Sequence, residues 1–116
     1  MATGFTLRVA RGKADQQRTI DDWLRTHTAA ADVRRAIVAE GAFFDLVVPA
    51  DVVLERLAAG CVCCVGLLPL QVTLTRLVRR VRPTALLLVV TDDAHIEHLM
   101  TLVASGKLGV ALEQGG

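Results

Sequence analysis

The run Ala85-Leu86-Leu87-Leu88-Val89-Val90 constrains the fold more than any other part of the chain. Six consecutive apolar residues leave no polar face, so a strand made of them must be covered on both sides, as strands in helix-covered parallel sheets are. Residues 84–90 are therefore expected at the centre of a mostly parallel sheet, with helices above and below. The flanking sequence agrees. Residues 5–10 read as a strand that ends at Arg11-Gly12-Lys13, and beyond Asp15 the side chains Ile20, Trp23, Leu24 and His27 recur at helical spacing. Residues 33–39, with Ala36-Ile37-Val38-Ala39 inside them, read as a second strand broken by Gly41.

Pro69 opens a helix in which Leu70, Leu74, Leu77, Val78 and Val81 form one stripe, while Arg76, Arg79 and Arg80 form a solvated face; Pro83 stops it. Asp92 or Asp93 caps a further helix that carries Ile96, Leu99, Met100 and Val103 and ends at Gly106, and residues 109–113 read as a last short strand. The order is βαβαβ, which predicts a small three-layer α/β domain with three to four strands. One stretch supports two readings. Residues 49–59 have a helix-favouring composition with Gly60 as a C-cap, yet Val52-Val53-Leu54 and residues 62–65 can equally pair as a hairpin across Leu57-Ala58-Ala59-Gly60.

Composition narrows the function classes. A chain of 116 residues makes one domain spanning 1–116, and 53% hydrophobic against 22% charged residues excludes disorder. A formal charge of +1 lacks the footprint of a nucleic-acid binder, so no nucleic-acid partner is expected. No apolar run approaches the roughly 20 residues of a membrane helix, and no basic start precedes an apolar stretch, so a soluble, cytoplasmic protein without a membrane partner is expected. Open sheet edges in so small a sheet would suit a homodimer.

All three cysteines sit together in Gly60-Cys61-Val62-Cys63-Cys64-Val65-Gly66. An odd, crowded set points to metal or thiol chemistry rather than a disulfide framework, and thiolates suit Zn(II), Co(II), Ni(II) or Cu(I). The plainer alternative is that Cys61, Cys63 and Cys64 are small buried hydrophobes. A tetrahedral site needs a fourth ligand, for which Glu40, at the end of the second strand, is the first candidate. His95 and His98 fall off their helix's apolar stripe and read as surface residues, and His27 as the edge of the core.

Arg11-Gly12-Lys13 invites comparison with the phosphate-binding signature G-x-x-x-x-G-K-[ST]. Leu7 stands at its first glycine position and Ala14 at the hydroxyl position that holds magnesium, so Gly12 and Lys13 offer at most anion binding at a helix N-terminus.

Taken together, Gly60-Cys61-Val62-Cys63-Cys64 resembles the G-C-[IV]-C-C motif of the CobW-like P-loop GTPases, the metallochaperone relatives of UreG and HypB. The order around it is similar too: a strand leading to Gly-Lys and a helix, then Ala39-Glu40-Gly41-Ala42 where that family has an Asn-Glu-Phe-Gly-like segment, then the cysteines, a helix, and a strand ending in Leu86-Leu87-Leu88-Val89-Val90-Thr91. The resemblance implies a P-loop-like domain, a strand ahead of the cysteines, and a metal held by Cys61, Cys63, Cys64 and Glu40. The family's "T/S-G-L" stretch is here Thr91-Asp92-Asp93-Ala94, and no Asn-Lys-x-Asp motif occurs. The expectation is a degenerate relative that binds, stores or hands over a transition metal to an acceptor protein, with GTP and Mg not expected as cofactors. Two rivals stand beside it: an active GTPase or nucleotide-binding protein with an unconventional loop around Gly12 and Lys13, and an interaction domain with inert cysteines.

Overall fold

The computed structural model describes residues 3–28, 30, 32–41, 46–57, 68–91, 97, 100, 101, 104 and 110–112. The strands β1 (Thr3–Val9), β2 (Arg35–Glu40), β3 (Val53–Leu57), β4 (Ala85–Val90) and β5 (Val110–Leu112) form one sheet in the order β3-β2-β4-β1-β5, with every pairing parallel. Helix α1 (Lys13–Thr26) links β1 to β2, and α2 (Leu68–Val81) links β3 to β4. The sheet has five strands where three to four were expected; the short last strand expected over 109–113 is β5, and the stretch that supported two readings supplies β3.

The apolar run is β4, flanked by β2 and β1, and all six of its residues are buried. Alternation along the strands divides the core into two layers. On one face Phe5, Ala36, Val38, Leu86, Leu88 and Val90 pack against Leu74 and Leu77 of α2, with Val78 and Val81 partly buried alongside. On the other, Ile37, Ala39, Leu87 and Val89 pack against Ile20 and Trp23 of α1, joined by Leu46 and Val52 from the β2–β3 connection. This is the three-layer α/β arrangement. The exposed side of α1 carries the ion pairs Arg18–Asp15 and Arg25–Asp22.

Of the two readings left open for residues 49–59, the strand is the one found: Val53 to Leu57 run in parallel register with Ala36 to Glu40. The other arm of the expected hairpin, residues 62–65, lies outside the described residues. Around 92–106, Glu97, Met100, Thr101 and Ala104 are helical, and the Thr101 hydroxyl donates to the Glu97 carbonyl at 2.9 Å.

Charged groups close the ends of β2. The buried Arg35 guanidinium donates to the His27 carbonyl at 2.9 Å and pairs with Asp51 at 3.0 Å, tying the end of α1 to the β2–β3 connection. His27 stacks on Trp23 with ring centroids 4.6 Å apart, at the edge of the core as expected. Among the described residues, no helix is long and apolar enough to cross a membrane.

Candidate functional site

Parallel strands all end at one edge of the sheet, and in open α/β sheets ligands bind beyond that carboxyl edge where neighbouring connections part in opposite directions. Here the parting lies between β1 and β4: from β1 the chain crosses toward β2, and from the adjacent β4 it crosses the other way toward β5. Register brings Val9 level with Val90, and Glu40 level with Leu57. The groups just past this line are Ala10 to Lys13, Glu40, Gly41 and Thr91.

Two buried polar side chains lock this edge. Glu40 is only 4% exposed, and its Oε1 accepts from both the backbone N–H and the hydroxyl of Thr91, each at 2.8 Å. Gln16, fully buried in the first turns of α1, donates through Nε2 to the Glu40 carbonyl at 2.8 Å and to the Ala10 carbonyl at 3.3 Å. Three strand ends, those of β1, β2 and β4, are therefore joined by two side chains. Among the described residues, the buried Gln16 Oε1 has no hydrogen-bond partner. Because Nε2 already faces two carbonyl oxygens, exchanging the amide's O and N would set oxygen against oxygen, so the orientation is fixed.

Gly12 is the N-cap of α1 in an extended conformation (φ −116, ψ 166) and makes no side-chain cap. A Cβ at this position would meet nothing within 4 Å, so neither conformation nor space demands glycine here. Lys13, the first helical residue, is exposed. Leu7, at the signature's first glycine position, sits inside β1 in register with Leu88. Only Ala10, Arg11 and Gly12 separate β1 from α1, too short a stretch to wrap a phosphate in backbone amides. What remains is a helix N-terminus beside an exposed lysine.

No family model, no curated protein and no solved structure matches the chain. The site therefore stands on its own chemistry.

Of the sequence-predicted ligands, Glu40 lies at this edge, near Gly12 and Lys13 in the topology, and Cys61, Cys63 and Cys64 lie outside the described residues, as do His95 and His98, which were read as surface residues. Among the described residues, no group of three or more His, Cys, Asp or Glu gathers to hold a metal ion. Sequence reasoning overlooked Gln16 and treated Thr91 only as part of a strand end. For Gln16 a signal was present: it stands four residues before Ile20 on the stripe that continues through Trp23, and a polar residue in a buried stripe needs partners.

Proposed function

We propose that the chain is a transition-metal-binding domain, in which Cys61, Cys63 and Cys64 supply thiolates and Glu40 a carboxylate to a cargo ion such as Zn(II). The observation that supports this reading best is the β2–β3 register. Glu40 pairs with Leu57, and Cys61 follows Leu57 by four residues, a covalent reach of at most about 14 Å. Glu40 and Leu57, the last strand residue ahead of the cysteines in the sequence, therefore end adjacent strands at the same edge. Metal-ligating carboxylates are ordinarily hydrogen-bonded themselves, and Glu40 accepts two hydrogen bonds from Thr91.

The chemistry proposed is ligand exchange. Loss of the thiol protons creates the soft donors, the ion binds, and an acceptor protein's ligand displaces one donor at a time. Anaerobic titration of the reduced chain with Co(II), followed by displacement with zinc, tests it. The expected result is a saturable thiolate charge-transfer band at one ion per chain, lost on Cys63→Ser and weakened on Glu40→Gln, whose amide oxygen still accepts from Thr91. Absence of the band, or its persistence unchanged in Cys63→Ser, would overturn the assignment.

A nucleotide-binding reading draws on one observation, the Gly12–Lys13 helix start beside the point where the connections from β1 and β4 part. A ligand at one hundred times its dissociation constant stabilises a fold by about 2.7 kcal/mol, so the same preparations heated with Mg and GTP or ATP report on it directly. In the metal-binding reading, neither nucleotide raises the unfolding temperature.

A further inference from the structure

β2 and β4 are neighbours in the sheet with Ala39 level with Val89, so Glu40 and Thr91 meet where the two strands end. Both donors of Thr91, its backbone N–H and its hydroxyl, reach the same carboxylate oxygen, Glu40 Oε1, each at 2.8 Å. A carboxylate has about four acceptor positions, two on each oxygen, so these two bonds use the pair on Oε1. The N–H would come from any residue but proline at position 91; the hydroxyl is what threonine adds.

Two donors on one oxygen, together with burial to 4% exposure, fix the plane of the carboxylate. A glutamine at position 40 would accept both bonds equally well through its amide oxygen. What a carboxylate brings instead is a negative charge and a second acceptor oxygen, Oε2, in place of an NH₂ donor.

On the metal-binding reading proposed above, we infer that Thr91 is the positioning residue of that site, and that by occupying Oε1 it makes Glu40 a single-oxygen ligand. An ion that engages Glu40 then does so through Oε2 alone. A carboxylate that binds through both oxygens fills two coordination positions, a mode suited to calcium sites of about six to eight oxygens. Held to one oxygen, it leaves three of the four tetrahedral positions to thiolates, the number that Cys61, Cys63 and Cys64 supply. Thr91 thereby favours small four-coordinate ions such as Zn(II) and Co(II) over ions of higher coordination number, and it acts through Glu40 without touching the ion.

The test is anaerobic Co(II) titration of the full reduced chain as wild type, Thr91→Val, Thr91→Ser, Glu40→Ala and the double variant Thr91→Val/Glu40→Ala. Thr91→Val keeps the N–H and loses the hydroxyl, which opens one acceptor position on Oε1. Cobalt affinity is expected to fall about tenfold. The intense visible d–d bands of tetrahedral cobalt should weaken per bound ion as the second oxygen enters, while the thiolate charge-transfer band per bound ion stays the same. Thr91→Ser restores both affinity and spectrum. Because Thr91 acts through Glu40, adding Thr91→Val to Glu40→Ala costs no further affinity. Urea unfolding of the metal-free variants establishes that they are folded, and Thr91→Ala, which removes the same hydroxyl with less bulk, carries the same expectation should valine not be accommodated. The role of Thr91 is overturned, with the metal site left standing, if the d–d spectrum of bound cobalt is unchanged without the hydroxyl, if Thr91→Ser does not restore affinity, or if Thr91→Val costs as much in the Glu40→Ala background as in wild type. A wild-type chain that gives no thiolate band overturns the metal-binding reading itself, and the role of Thr91 with it.

Discussion

Gln16 is the residue on which the carboxyl edge turns, because one amide group holds the ends of both β1 and β2. Replacing it with Ala removes two buried hydrogen bonds and leaves two carbonyls to find other partners, a loss of about 2 kcal/mol. Gln16→Glu is a sharper probe. A carboxylate facing the Ala10 and Glu40 carbonyls is repelled when ionised and can donate only when protonated, so the folded state raises its pKa above the unfolded value of about 4.3. Stability is then fullest below that value and falls as pH rises toward the folded pKa. Urea midpoints of Gln16→Glu and wild type should approach each other at pH 4 and separate by pH 7. A difference independent of pH would show that residue 16 does not sit against those carbonyls.

At the scale of elements, two glycines that punctuate the sequence alike have different physical standing. Gly41, directly after β2, has φ 121, a backbone region that side-chain-bearing residues rarely adopt. Gly12 has an ordinary extended φ and open space around it. Gly41→Ala should therefore cost about 1–3 kcal/mol, and Gly12→Ala less than about 1 kcal/mol, both read from chemical denaturation. Arg82 shows the same principle at the end of α2, where a left-handed φ of 51 turns the chain ahead of Pro83. The strands were the most legible elements, since β2 and β4 are short apolar runs bounded by a charge, a glycine or a proline. β3 was only half legible: Val53-Leu54-Glu55-Arg56-Leu57 carries charges that suit an exposed edge and match a helix as well as a strand, so the residues alone left two readings and the strand was favoured only by the family resemblance.

For the whole molecule, stability resides in two aliphatic layers that share one sheet. Leu77 belongs to the layer under α2, where truncation leaves a void among side chains already buried. Leu77→Ala should cost about 3 kcal/mol and lower the melting temperature by about 10 °C. Val72, on the same helix but 51% exposed, should tolerate alanine within about 0.5 kcal/mol. Equal losses at the two positions would mean that α2 presents another face to the sheet. The carboxyl edge, with Glu40, gathers the groups that the strands carry at their ends.

The sequence by itself determined the class of fold and its central strand, because an uninterrupted apolar run permits only a position covered on both sides, and it marked Glu40 as a group at a strand end. Tertiary structure alone decided the strand order, the parallel partner of β3, and the contacts that join distant residues. Glu40 meets Thr91 across 51 positions and Gln16 across 24, and Arg80 meets Glu55 across 25. Local periodicity reports which face of an element is buried; it carries no information about which elements become neighbours, and those contacts exist only once the sheet has assembled.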